Sequence, residues 1–414
     1  MSDISTVEQA AIAGGTPAKS VPYTKQPKFD HTELEQLKEA LDQGTLFYAF
    51  GTKVNTLVDE FAKKLGAAYG VPTSSGTASI HTALIGAGIS PGDEVIVGPV
   101  TDMGSISPIL WQQAIPVFCD LHPMRHSMTL ETVSAALTGQ TKAIILIHLW
   151  GNAGDAREIR QLCDQRGITL IEDCAQAYGC RQGEQWVGRI GHIGCFSLND
   201  FKHISCGDGG IVLTDDEALA RRMRLAADKG YSREKDATDR NPTFLCANYR
   251  MSELQGAVGL AQLAKLDSII ERRQKWCSEL LQRLSGLPGL VLPEVSPGSE
   301  ASWWFFMFRV DPQVLGADAD EFGQALQAEQ VPVGIHYIGK CIYQYPLFLN
   351  HSAYERGGHP FDAVDYRDGM CPEAEALLKN CLILPVNEGY TRQDLEETVK
   401  AFEKCVAWAQ ARKS

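Results

Sequence analysis

Two side chains near the middle of the chain have the types and spacing to do chemistry together. Asp173 closes an apolar run that contains Ile168, Leu170 and Ile171, and Lys202 follows a second strand-like run at 193–198. In open α/β sheets ligand groups gather just beyond the C-terminal ends of strands. An acid and an amine emerging from neighbouring strand ends suit pyridoxal phosphate, which needs a lysine for its Schiff base and an acidic partner for its pyridinium nitrogen. Gly207-Asp208-Gly209-Gly210 comes next, a run that lets the backbone turn where side chains would clash with a flat cofactor. Taken singly, Asp173 reads equally as a helix cap and Lys202 as a surface lysine.

A third element would hold the phosphate. Ser74-Ser75-Gly76-Thr77-Ala78-Ser79 precedes a helical run at 80–87. A helix N-terminus offers free N–H groups and the positive end of its dipole to an anion. The same residues also suit an ordinary Ser or Thr cap.

The elements that must position these residues alternate along the chain. Helical periodicity is present at 31–41 and 54–65, followed by strands at 94–97, 116–119 and 143–147. Helices at 106–113, 130–137 and 156–166 are interleaved with them. The alternation predicts a parallel sheet with helices on both faces. A strand at 210–213, a helix at 215–227 and a long helix from 252 to about 284 follow. A strand at 303–310 and helices near 317–329 and 393–409 give a smaller α+β part. The expected division is an arm at 1–25, a large cofactor-binding domain at 26–265 and a small C-terminal domain at 266–414.

Bulk properties narrow the function classes. The formal charge of −13 over 414 residues gives no basic footprint, so nucleic acid is an unsuitable partner. The apolar run at 143–150 is broken by His148 and is far short of the ~20 residues that span a bilayer. Met1 to Ala13 lacks a signal-peptide pattern, and the twelve cysteines include no C-x-x-C pair, which together point to reduced thiols in a cytoplasm. His122 and His126 stand four apart, but Pro123 between them argues for a solvated loop and against a metal site on one helix face. No G-x-G-x-x-G follows an N-terminal strand, which disfavours a nicotinamide dehydrogenase.

Several motifs together resemble the DegT/StrS group of pyridoxal-phosphate-dependent sugar aminotransferases. They are Gly14-Gly15-Thr16-Pro17, Ser75-Gly76-Thr77-Ala78, Pro91-Gly92-Asp93-Glu94-Val95, His148-Leu149-Trp150-Gly151, Glu172-Asp173-Cys174-Ala175-Gln176-Ala177, Phe196-Ser197 with Lys202, Gly207-Asp208-Gly209-Gly210 and Asn248-Tyr249-Arg250-Met251. The resemblance runs over nearly the whole chain and implies a fold-type I transferase, with a mostly parallel seven-stranded sheet flanked by helices. It implies Lys202 as the Schiff-base lysine, Asp173 on the pyridinium nitrogen, Gln176 on the ring's 3′ oxygen, and Gly76, Thr77 and Ser197 on the phosphate. Asn248 would reach the phosphate of a neighbouring subunit's cofactor, which implies a homodimer with shared sites. The implied reaction moves an amino group from L-glutamate or L-glutamine to a ketosugar or ketocyclitol.

The chain also departs from that pattern. Asp102, in Pro99-Val100-Thr101-Asp102-Met103, takes a slot where relatives commonly place an aromatic residue over the cofactor. Either Met103 covers the ring instead, or Asp102 contacts an amino or hydroxyl group of the substrate. The usual His of the last strand-turn segment is absent from Leu384-Pro385-Val386-Asn387-Glu388, and Phe201 stands where Ser is frequent before the lysine. Arg250, His336, Tyr337 and Lys340 complete the candidate substrate contacts. Two alternatives stay open: a dehydratase of the aminohydroxybenzoate synthase type, and a cofactor-binding regulator without turnover. Relatives that dehydrate sugars carry His in place of the lysine; here Lys202 is intact, with His203 beside it.

Overall fold

The computed structural model describes residues 8–233 and 240–413; the first seven residues of the expected arm lie outside them. Seven strands form the central sheet: β1 (Tyr69–Thr73), β2 (Glu94–Val97), β3 (Ile115–Phe118), β4 (Thr141–Ile147), β5 (Thr169–Asp173), β6 (Ile193–Ser197) and β7 (Gly210–Thr214). Their spatial order is β1-β7-β6-β5-β4-β2-β3. β2, β3, β4, β5 and β6 pair in parallel, whereas β7 runs antiparallel to both β6 and β1. β6 and β7 are buried along their whole length, as expected of a sheet covered on both faces.

Helices α1 (His31–Asp42), α2 (Lys53–Leu65), α3 (Gly76–Gly86), α4 (Met103–Trp111), α5 (Leu130–Ala136), α6 (Ala156–Arg166) and α7 (Glu217–Ala227) lead to the long α8 (Glu253–Leu284). Reciprocal capping fixes two of the starts, Asp30 with Glu33 on α1 and Ser252 with Gln255 on α8. α8 is continuous through residue 265, where the sequence places a domain change. Beyond it a four-stranded sheet is built from Leu290–Val291, Phe305–Val310, Gly334–Ile335 and Cys381–Pro385.

Three local expectations need correction. α4 begins at Met103 instead of 106, because the Asp102 carboxylate accepts the Gly104 N–H and caps the helix early. The strand expected at 303–310 begins at Phe305, since Trp303 has a left-handed backbone (φ +53°) that cannot continue a strand. His126 is buried, so the loop between His122 and His126 is not simply solvated; the His122 imidazole accepts from the Met124 and Arg125 N–H groups. No disulfide forms among the described cysteines, and no described helix is long and apolar enough to cross a membrane.

Candidate active site

The parallel strands end on one edge of the sheet, and the ends of β5 and β6 with the segments that follow β1, β2, β5 and β6 carry Gly76, Thr77, Asp102, Met103, Asp173, Gln176, Ser197 and Lys202. β1 leads into α3, whose N-cap Ser75 accepts the Ala78 N–H at 3.1 Å. The Gly76 and Thr77 N–H groups lie in the first turn, where the helix itself supplies no acceptor. A β-carbon on Gly76 would come within 2.6 Å of Ser197 Cβ and 2.8 Å of its Oγ, so glycine alone allows α3 and the end of β6 to meet. Two N–H groups at the start of α3 thus lie beside the Ser197 hydroxyl, donors of the kind that bind an anion.

Gly210 has a different purpose from the one its motif suggests. A β-carbon there would meet Ser79 Oγ at 2.3 Å, Ser75 O at 2.4 Å and Thr73 Oγ1 at 2.6 Å. This glycine makes room for the start of α3, not for a flat ligand. Only Gly207, with φ +88°, answers the expected need for a turn.

Asp173 ends β5 and is 7% exposed. Its Oδ2 accepts from Ser105 Oγ at 2.6 Å and its Oδ1 from the Ala175 N–H at 3.0 Å. Thr101 Oγ1 lies 2.9 Å from Ser105 Oγ, whose single proton is directed at Asp173, so Thr101 is the donor of that pair. The carboxylate is thus oriented by a relay from the N-terminal turn of α4. Nothing in the sequence separates Ser105 from the apolar helix around it except a hydroxyl four residues after Thr101.

Lys202 sits in the turn after β6. Burial pushes its amine below the usual lysine range; the Asp173 and Asp102 carboxylates oppose that shift, and the Lys28 ammonium adds to it. Its Nζ has no hydrogen bond or ion pair among the described residues and lies 4.0 Å from the ring centroid of Trp304. Lys28 Nζ donates to the carbonyl oxygens of Lys202, at 2.9 Å, and of Asp200. Neither Trp304 nor Lys28 stands out in the sequence, one hidden in an aromatic strand and the other in the entry arm.

Gln176 links two parts of the structure. Its Oε1 accepts the Trp150 N–H at 2.9 Å, and its Nε2 donates to the Tyr337 hydroxyl at 3.2 Å. Burial pushes the Tyr337 phenol well above its usual value. Trp150, Trp303, His336 and Tyr337 all hold left-handed backbones without being glycine, which concentrates strain around these residues.

The remaining candidates are more dispersed. Asp102 caps α4 and Met103 is its half-buried first residue. His336 places Nε2 3.2 Å from Asp320 and Nδ1 3.1 Å from the Leu378 carbonyl, both in the C-terminal part. Lys340 lies 5.5 Å from the Tyr345 ring centroid. Arg250 donates to Asp228 at 2.7 Å, and Asn248 pairs with Asp228 in an isolated β-bridge. Asp228 is buried and also accepts from Tyr48 and Arg233. Arg250 lines a cavity of about 1190 Å³ whose walls include none of Asp173, Gln176 and Lys202.

Two buried groups lie next to the site. His203 Nε2 faces the Ser302 carbonyl at 3.1 Å, and burial, with the nearby Arg273, keeps the ring neutral. His148, Glu172 and Cys174 cluster as metal ligands could. Gly154 N–H donates to His148 Nδ1, so His148 Nε2 donates to Glu172 Oε2 at 2.9 Å, while Glu172 Oε1 accepts from Ile190 and Gly191. That set is a closed structural clip between β4 and β5.

Residues 27–403 match the DegT/DnrJ/EryC1/StrS aminotransferase family. The dTDP-3-amino-3,4,6-trideoxy-alpha-D-glucose transaminase of Streptomyces venezuelae is 32% identical over 375 residues, covering 90% of this chain and 91% of that protein. The spore coat polysaccharide biosynthesis protein SpsC of Bacillus subtilis (strain 168) is 29% identical over 398 residues, covering 94% and 98%. Among solved structures, the aminotransferase from Psychrobacter cryohalolentis aligns with a TM-score of 0.84 at 26% identity, covering 94% of this chain and 100% of that one. The chain therefore belongs to the DegT/DnrJ/EryC1/StrS aminotransferase family, with the fold-type I architecture of pyridoxal-phosphate-dependent transaminases.

Proposed function

We propose that this transaminase takes an amino group from L-glutamate or L-glutamine and delivers it to the ketone of a sugar or cyclitol. The observation that carries the reading is a buried Lys202 amine, without a hydrogen bond among the described residues, that feels the charge of the oriented Asp173 carboxylate. The sugar class is supported by the dTDP-sugar transaminase relative.

The residues fit pyridoxal phosphate. Gly76, Thr77 and Ser197 hold its phosphate, Gln176 reaches the ring's 3′ oxygen, and Asp173 keeps the ring nitrogen protonated. When bound, the cofactor supplies a conjugated sink for the electron pair left on the donor carbon. Lys202, its amine held below the usual lysine range by burial, would take the proton from that carbon and return it to the neighbouring one. Tyr337, which accepts from Gln176, and Asp102 would contact the substrate, with Met103, His336, Lys340 and Arg250 as further candidates.

Asn248 contributes to a neighbouring subunit's site in a homodimer. Support for that assembly comes from large apolar side chains left in water, Phe50 at 79%, Phe201 at 78% and Leu245 at 91% exposure. The arm at 1–25, the large domain at 26–265 and the small domain at 266–414 are the units of each subunit, and the enzyme works in the cytoplasm.

The test is to mix the cofactor-loaded protein with L-glutamate. Conversion of the cofactor to its pyridoxamine form, followed by its reversal with one member of a ketosugar and ketocyclitol panel, is the expected result. No conversion with either amino acid overturns the reading.

A further inference from the structure

Trp304 is bound to the segment that carries Lys202 and also offers that lysine its ring. The indole Nε1–H donates to the carbonyl of Phe201, the residue before Lys202, at 2.7 Å. Its backbone N–H donates to Trp150 O at 3.0 Å, and its carbonyl accepts from Arg273 Nη1 at 3.3 Å. The ring plane is therefore fixed relative to the lysine backbone, and the Lys202 Nζ lies over its face, 4.0 Å from the centroid. Trp150 in turn donates to Gln176, so the frame that fixes the indole continues into the Gln176 and Tyr337 pair.

Indole presents the most electron-rich face of any side chain to a cation, and such contacts gain strength where water is excluded. We infer that Trp304 is a positioning residue whose indole face receives the Lys202 ammonium while the lysine carries a proton between two carbons. The inference rests on the transaminase reading. In the first step the neutral amine accepts a proton from the donor's α-carbon, and the C–H electron pair passes into the conjugated system. In the second the ammonium gives that proton to the adjoining carbon, a C–H bond forms, and the amine is neutral again. Between these steps the lysine is charged, and the indole holds the ammonium over its face without a competing hydrogen bond among the described residues. A carboxylate in the same place would retain the proton; a π face stabilises the cation and still lets it go.

Two readouts test this. In apoprotein carrying 13C at the lysine ε-carbons, the Lys202 ε-CH2 signal, assigned by its loss in Lys202→Ala, is expected to be shifted upfield by the indole ring current. Trp304→Phe keeps a smaller shift and Trp304→Leu abolishes it. In the loaded enzyme the first-order conversion by L-glutamate is expected to fall about 2- to 30-fold in Trp304→Leu, with the half-saturating donor concentration unchanged and Trp304→Phe intermediate. An unshifted Lys202 signal in a wild type that does convert, a shift that survives Trp304→Leu, or wild-type rates in both variants overturns the inference alone. A wild type that shows the shift and converts with no amino donor overturns the transaminase reading instead, and the inference with it.

Discussion

The Ser105 hydroxyl donates to Oδ2 of Asp173 at 2.6 Å across 68 residues of sequence, and Thr101 supports it from one turn behind. A hydrogen bond to a buried carboxylate contributes about 1.5–3 kcal/mol. Ser105→Ala frees Asp173 to rotate, so the rate of the glutamate half-reaction should drop by about tenfold or more while the fold persists. Stopped-flow absorbance checks this, and an unchanged rate removes Ser105 from the site.

The contact between Gly76 and Ser197 makes a prediction about cofactor binding. In Gly76→Ala the new β-carbon would sit 2.6 Å from Ser197 Cβ, pushing α3 away from β6. Pyridoxal phosphate affinity, measured by equilibrium dialysis of the apoprotein, should weaken at least about tenfold, a change of ~1.4 kcal/mol. Pyridoxal without its phosphate should be affected far less.

Lys28 works against protonation of Lys202, because a neighbouring positive charge disfavours a second one. Lys28→Met therefore raises the pKa of the Lys202 amine, and Lys28→Arg leaves it nearly in place. Competitive labelling of Lys202 with an amine-reactive reagent across a pH series, read by mass spectrometry, measures the shift. A downward shift in Lys28→Met contradicts the electrostatic account.

Acid stability should depend on neutral histidines. Burial holds His81 at about 4 and His126 at about 3, and it lowers His203 well below its usual value. Unfolded histidine titrates near 6.5, so between that pH and 4 the unfolded chain binds more protons than the folded one. Stability is then complete above about pH 6.5 and falls as pH drops toward 4. In His81→Phe, which also loses the contacts to Tyr249 and Gln112, the urea midpoint should vary less steeply over this window. An unaltered slope excludes His81 from the effect.

The legible parts of this molecule were those whose neighbours in space are also neighbours in sequence. The alternation of helices and strands was readable because each βα unit is local, and apolar runs lead up to Asp173 and Lys202; β1 (Tyr69–Thr73), ahead of Gly76, has no such run and was not legible. The supporting side chains are joined to the site across long loops of chain. Trp304 meets Phe201 across 103 residues, and Lys28 meets Lys202 across 174. Trp304 also stands in a run of aromatic residues that periodicity assigns to a strand, and only the left-handed turn at Trp303 releases it. Gly210 shows the reverse failure: its motif was recognisable, but the atoms it avoids belong to Thr73, Ser75 and Ser79 of the chain itself.

All of these roles depend on Lys202 being the amine that joins the cofactor. Borohydride reduction of the loaded protein, then proteolysis and mass spectrometry, finds the lysine bonded to it. The account predicts one phosphopyridoxyl group, on the peptide containing Lys202, and none in Lys202→Ala. A modified lysine elsewhere, or Lys202→Ala that keeps both the visible band and full turnover, contradicts it.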